Sequence, residues 1–173
     1  MKPSFKNWCE KQATDWRYRL GLCAYDALPA NRLAAALSAE IIPPDKLEGT
    51  PPEAVELFLT ADSSTWSAMI LRAQPLLIMY NPNHSAARYE SNIMHELAHV
   101  ILGHQLIQID TSSWKREYRQ KDEAEATYLG GCLQIPKRGL DWCLQKKMKN
   151  DQIANHFGAS LEMVQYRRNM TGH

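Results

Sequence analysis

Two histidines and a glutamate lie within an apolar stretch of the chain, SNIMHELAHVILGH at positions 91–104. His95 and His99 are four residues apart, so on a helix their imidazoles project from the same face, one turn apart. Burying such polar groups costs free energy unless each finds a partner. Both imidazoles can bind one metal ion, and Glu96 lies beside the first of them. The spacing predicts a metal site on a buried helix, with zinc as the ion because zinc readily binds neutral imidazole nitrogen.

The pattern His-Glu-x-x-His is typical of zinc hydrolases, in which the glutamate serves as the general base. The chain has only six histidines, and a shuffled chain of this composition would contain the pattern with an expectation of about 0.01. The alternative is a pair of hydrogen-bonded core histidines beside an ordinary carboxylate. The rarity of the pattern and its apolar setting favour the metal site.

A catalytic zinc site has three protein ligands and a water, so the third ligand must come from another segment. The segment QKDEAEATYLGGCLQIP, positions 120–136, offers three carboxylates on one predicted helix: Asp122, Glu123 and Glu125. Helical spacing places Glu125 on the apolar face with Leu129, whereas Glu123 shares a face with Gly130. Periodicity favours Glu125 only mildly and leaves Glu123 as an alternative.

The elements that must position these residues predict an α+β fold, with a small antiparallel sheet and surrounding helices. Apolar runs at 66–71 and 76–80 predict two strands joined by a tight turn. A short helix is predicted within 28–42, with Ile41 and Ile42 at the start of a further strand. Another helix is predicted to begin at the prolines of PPEAVELFLTA.

Two longer helices are predicted to carry the candidate ligands, at about 91–103 and about 117–133. Ser91 or Asn92 can cap the first of them, and Gly103 can end it. The second stops before Pro136, because the residue before a proline disfavours helical geometry.

From Lys137 onward the chain predicts further helices, and part of this tail matches a helix-turn-helix pattern. The matching positions are Ala154, Gly158 and Val164, with Ser160 as a cap for the second helix. Arg167 and Arg168 could then contact DNA phosphates. The alternative is a structural helix pair packed on the rest of the protein. We favour the structural pair, because the first turn of the second helix has no basic residue.

The two motifs together resemble those of the ImmA/IrrE family of metallo-endopeptidases. That family has His-Glu-x-x-His followed, after roughly 25 residues, by E-A-x-x-F-A-x-x-L-L-x-P. Here the second part reads EATYLGGCLQIP, from Glu125 to Pro136. The resemblance implies three zinc ligands and a catalytic base, namely His95, His99 and Glu125 for the Zn²⁺ cofactor and Glu96 for the base. Glu123 also fits a common position of that family, and we expect it to contact the ligands.

The resemblance covers roughly residues 20–170, and we predict a zinc peptidase domain over residues 1–136 and a helical, helix-turn-helix-like extension over 137–173 packed on it. Its implied substrate is a protein, a helix-turn-helix repressor whose cleavage switches genes on. The alternative is a DNA-binding or partner-binding regulator, of phage or toxin–antitoxin type, in which zinc is not catalytic.

The second motif departs from the family pattern at its centre. Leu129 and Gly130 replace the usual aromatic residue and alanine, and Gly131 follows. Two glycines weaken a helix by roughly 1 kcal/mol each relative to alanine. They would also let this helix approach the metal helix closely.

The composition favours no other class of partner. The 173 residues carry a formal net charge of +1, which gives no global attraction to nucleic acid or to membranes. We expect no secretory signal at the N-terminus, and reduced thiols at all four cysteines, as in a cytoplasmic protein.

Peptide hydrolysis also needs an oxyanion donor, and the sequence does not choose among five candidates: Tyr80, Tyr89, Tyr118, Tyr128 and His104. We predict that His104 is a surface cap at the helix end.

Overall fold

The computed structural model of the chain describes residues 1–60, 66–105 and 119–173. Within those ranges none of the helices is long and apolar enough to cross a lipid bilayer. The helices are α1 (Pro3–Arg19), α2 (Ala30–Ala36), α3 (Pro52–Thr60), α4 (Ala86–Leu102), α5 (Gln120–Gln134), α6 (Lys137–Gln145), α7 (Asn150–Phe157) and α8 (Leu161–Thr171). The strands are β1 (Glu40–Ile42), β2 (Ala68–Ala73) and β3 (Leu76–Tyr80).

The sheet has the order β1-β3-β2. Strands β2 and β3 form the predicted antiparallel hairpin, with Ile70 opposite Ile78. Strand β1 pairs with β3 in parallel, because the chain passes through α3 and β2 before it returns beside β1. The α+β class is therefore confirmed, and the sheet is mixed rather than wholly antiparallel.

Helix α4 lies at the centre of the core and begins earlier than predicted. The prediction that Ser91 or Asn92 caps it is wrong: Ser85 is the N-cap, and its hydroxyl accepts a hydrogen bond from the Arg88 N–H at 3.3 Å. The added turn also carries Glu90, whose carboxylate accepts from the Ala30 N–H at 2.7 Å and so ties α2 to α4.

Helix α1 packs against α5, although its sequence has no strong apolar stripe. Its buried face consists of Cys9, Ala13 and Arg17. Arg17 donates hydrogen bonds to the carbonyls of Asp26 and Gln134, at 2.8 and 3.2 Å. Burial lowers the pKa of Arg17 to about 10.

The predicted turn and cap in the tail are confirmed. Gly158 ends α7 in a left-handed conformation with φ of 61°, and Ser160 Oγ accepts from the Met163 N–H at 3.1 Å. A second apolar cluster holds this region together: Ile135, Leu140, Cys143, Ile153, Ala154, Phe157, Ala159 and Val164. The division of the chain at residue 136 stays a prediction.

Arg167 and Arg168, the two arginines considered as DNA contacts, both bind other groups of the protein. Arg167 is 0% exposed, donates to the Ile135 carbonyl at 2.8 Å and forms an ion pair with Glu10 of α1. Arg168 donates to Asn150 Oδ1 at 2.8 Å. Glu10 also accepts from the Lys137 N–H at the start of α6, at 2.8 Å. These bonds support the structural alternative for the tail, because the buried Arg167 guanidinium cannot reach a phosphate and the partly buried Arg168 is bonded within the protein.

All four cysteines are free thiols, and three of them are buried: Cys9, Cys132 and Cys143. Burial raises the pKa of the Cys132 thiol well above its usual range. A thiol that stays protonated is a poor nucleophile, so Cys132 is a packing residue.

The buried ion pair gives a stability prediction. Glu10→Ala should lower the free energy of unfolding by about 3–5 kcal/mol, because it leaves the Arg167 charge buried without its partner. Urea unfolding followed by circular dichroism measures the change. Lys11→Ala is the matched control: it removes an exposed pair with Asp15 on the same helix and should cost less than about 1 kcal/mol. Equal losses in the two variants would contradict a stabilising role for the buried pair.

Candidate metal centre

The imidazoles of α4 meet one carboxylate of α5. His95 Nε2 and His99 Nε2 lie 3.1 Å apart. Glu123 Oε2 is 3.2 Å from His95 Nε2, and Glu123 Oε1 is 3.0 Å from His99 Nε2. Three potential ligand atoms from two helices therefore converge on one point.

Glu123 faces α4 because of the way the two helices pack. Gly130 lies seven residues after Glu123, two helical turns along the same face. A methyl group at Gly130 would lie 3.2 Å from both the Cα and the backbone nitrogen of His95. This glycine therefore lets α5 press directly against the backbone of α4, as the sequence suggested, and the face that carries it is the face that carries Glu123.

Glu125 lies elsewhere on α5. Two residues along a helix turn the side chain by about 200°, away from the pair of histidines. Glu125 Oε2 is 3.5 Å from His104 Nε2, and Oε1 is 3.6 Å from Lys121 Nζ. The geometry favours Glu123 over Glu125 as the third ligand, the reverse of the sequence prediction. The position of Gly130 on the same helical face as Glu123 was the sequence feature that could have distinguished the two glutamates.

Glu96 is held between α4 and the sheet. Its side chain is nearly buried, and its Oε2 accepts a hydrogen bond from the Ile70 N–H at 3.2 Å. Ile70 lies on β2 at the edge of the sheet, where the pairing with β3 shifts between Ile70 and Arg72. A backbone donor on a strand therefore fixes the orientation of this carboxylate, whose helix neighbour is His95.

The donor set fits zinc. A tetrahedral ion with ligands at about 2.0–2.1 Å separates neighbouring ligand atoms by about 3.3–3.4 Å, close to the separations of 3.0–3.2 Å between the donor atoms. Among the described residues this group consists of His95, His99 and Glu123, with no fourth His, Cys, Asp or Glu. The side chains of His95 and Glu123 are 26% and 30% exposed, against 5% for His99. Two of the three candidate ligands are thus partly accessible to solvent, as a catalytic site requires.

The oxyanion candidates have different surroundings. The Tyr89 hydroxyl donates to Asn31 Oδ1 at 2.6 Å, and Tyr80 packs edge-on against Tyr89. Tyr128 is buried beneath the Arg167 guanidinium. Tyr118 lies outside the described residues. No oxyanion donor is assigned among them.

His104 caps the end of α4, since its N–H donates to the His99 carbonyl at 3.1 Å, but it does not lie at the surface as the sequence predicted. Its side chain is only 10% exposed, and its Nδ1 lies 3.0 Å from His99 Nδ1. It belongs to the surroundings of the candidate metal centre.

The model of the IrrE N-terminal-like domain family, peptidase family M78, matches residues 54–169. The chain belongs to this family. The match includes both motifs, the whole of the candidate metal centre and most of the tail. M78 is a family of metallopeptidases, which agrees with the His/Glu donor set.

A Mycobacterium tuberculosis transcriptional regulator has a similar fold, with a TM-score of 0.60 and 15% sequence identity. The alignment covers 96% of this chain but 47% of the regulator, so this M78 chain spans about half of that protein's length. At this identity the likeness shows the fold alone. No curated protein matches the chain.

The geometry predicts the order of metal affinities in two variants. Glu123→Ala should weaken zinc binding more than Glu125→Ala, because only Glu123 brings an oxygen to the two histidines. The loss in Glu123→Ala should exceed the ~10–100-fold effect typical of residues that contact ligands from outside. Competition with a chromophoric zinc chelator measures both constants. The reverse order would restore Glu125 as the ligand.

Proposed function

We propose that this chain is a zinc-dependent endopeptidase that cleaves a helix-turn-helix repressor protein. The observation that carries the proposal is the convergence of His95, His99 and Glu123, with donor atoms 3.0–3.2 Å apart, next to a glutamate that follows the first histidine. Membership of the M78 family supports a metallopeptidase. A helix-turn-helix repressor is the substrate that the resemblance of the two motifs implies.

His95, His99 and Glu123 would hold the ion, and Glu96 would handle protons. When bound, zinc supplies the Lewis acidity that activates water and polarises the scissile carbonyl. Glu96 would accept the proton of the attacking water and then deliver it to the leaving amine. The hydrogen bond from Ile70 keeps the Glu96 carboxylate oriented for this exchange.

The partial exposure of the cluster supports hydrolysis over a purely structural role for zinc. Structural zinc is enclosed by four protein ligands, whereas catalytic zinc keeps one position for water or substrate. The described residues offer three ligands, and two of these are about one quarter exposed or more. The alternative is a regulator that binds its partner without cutting it, and it differs from the proposal in one measurable respect, turnover.

Glu96→Gln separates the two functions. The variant should retain zinc, because Glu96 contributes no atom to the donor cluster, but it should lose hydrolysis, because an amide cannot accept the proton. The assay incubates zinc-loaded protein with the helix-turn-helix repressor encoded nearest to its gene and identifies new peptide termini by mass spectrometry. Turnover by Glu96→Gln at the rate of the native protein would remove Glu96 from the mechanism.

Two controls assign the result. Glu53→Gln, an exposed glutamate on α3, should cleave as the native protein does. A chelator should abolish cleavage, and added zinc should restore it. Binding of the repressor by both native protein and Glu96→Gln, with no fragments from either, would support the regulator that does not cut.

A further inference from the structure

A chain of three side chains leads from the candidate metal centre to the surface of α5. His99 Nδ1 lies 3.0 Å from His104 Nδ1, and His104 Nε2 lies 3.5 Å from Glu125 Oε2. Lys121 Nζ is 3.6 Å from the other oxygen of Glu125. The ring of His104 therefore bridges a candidate zinc ligand and a carboxylate that is not one.

The end of α4 places His104 in this position. Gly103 adopts a left-handed conformation with φ of 66°, which closes the helix. The His104 N–H then donates to the His99 carbonyl at 3.1 Å. This turn directs the chain back over the last turn of α4, so the His104 ring meets the His99 ring.

The protons in this chain can be assigned by counting. A neutral imidazole carries one N–H, so His99 can offer Nε2 to a metal only if its proton is on Nδ1. That N–H can donate to His104 Nδ1, 3.0 Å away, in an arrangement that requires the His104 proton to be on Nε2. His104 Nε2 faces Glu125, and an ionised carboxylate can only accept. With an ion on His99 Nε2, which displaces the proton that Glu123 Oε1 would otherwise accept there, His104 and Glu125 therefore complete one consistent set of donors and acceptors.

We propose that His104 and Glu125 are positioning residues that hold His99 with Nε2 available to the metal. The proposal rests on the zinc site of the proposed function and gives Glu125 a role other than ligand. Partners of this kind fix the ring orientation and the basicity of a metal-bound histidine, and their loss typically weakens metal binding by ~10–100-fold.

The same region could instead hold a second ion. His104, Asp122 and Glu125 offer ligand atoms within 4.8 Å of one another. His104 Nδ1 faces His99 in the structure, which leaves only Nε2 for such an ion. The chain of side chains needs Glu125 but not Asp122, whereas a second metal site needs both, so Asp122 distinguishes the two.

The test combines zinc affinity with the tautomers of the histidines. Zinc affinity and stoichiometry are measured at fixed pH by chelator competition for the native protein, Glu125→Ala, Glu125→Gln, Asp122→Asn and Glu123→Ala. Nitrogen-15 spectra of the histidine rings, recorded on zinc-loaded protein, report which ring nitrogen carries the proton. A thermal melt of each variant verifies that it is folded.

We expect one zinc per native chain. Glu125→Ala should bind it ~10–100-fold more weakly, and the His104 proton should no longer be confined to Nε2. Glu125→Gln should recover most of the affinity and the native tautomer, because its amide oxygen can still accept from His104 Nε2. Asp122→Asn should match the native protein in both measurements.

Other outcomes overturn separate parts of the argument. Native zinc affinity in Glu125→Ala, together with an unchanged His104 tautomer, would overturn the positioning role alone. Two zinc ions per native chain, one of them lost in Asp122→Asn, would replace that role with a second metal site. No zinc binding by the native protein, or undiminished binding by Glu123→Ala, would overturn the proposed zinc site.

Discussion

The contact between Gly130 and the backbone of His95 determines which side chains meet at the candidate metal centre. Glycine in a helix interior costs about 1 kcal/mol relative to alanine, and here its absent side chain lets α5 lie directly on α4. A larger residue would have to displace backbone rather than a mobile side chain. The donor separations of 3.0–3.2 Å leave little room for such a shift. The close approach of the two helices therefore determines which face of α5 meets α4. That face carries Glu123, which completes the candidate metal centre.

The polar groups of α4 are distributed among partners on different elements. Glu96 accepts from Ile70 on β2, His95 and His99 meet Glu123 on α5, and His99 also contacts His104 after the helix end. In a low-dielectric interior such groups stabilise the fold only when they are satisfied together. The apolar residues of α4 bury the helix in the core. The contacts with these partners offset the free-energy cost of burying its polar and charged side chains.

The sequence predicts the parts of this arrangement that depend on local spacing. The four-residue separation of His95 and His99 places both on one helical face, whatever the rest of the fold. Apolar periodicity did not select Glu123, which the geometry favours over Glu125, because the choice depends on how two helices distant in sequence are rotated against each other, and Gly130 on the face of Glu123 was the only hint of that rotation noted in the sequence. The parallel β1–β3 pairing is long-range in the same way. Helix α1 escaped prediction because its buried face relies on small residues and an arginine rather than on an apolar stripe.

The tail shows why a helix-turn-helix pattern does not by itself imply DNA binding. Arg167, one of its two candidate phosphate contacts, is buried and holds the Ile135 carbonyl, immediately after the end of α5, while it pairs with Glu10 of α1. The residues that α8 does expose are mostly uncharged, with one acidic side chain: Leu161, Glu162, Gln165, Asn169 and Met170. The fully exposed positions of α8 thus offer no cation for phosphates, and the partly exposed Arg168 is bonded to Asn150. The arginine instead joins α8 and α1 at the end of α5, so the tail helps to hold the helix that presents Glu123 to the histidines of α4.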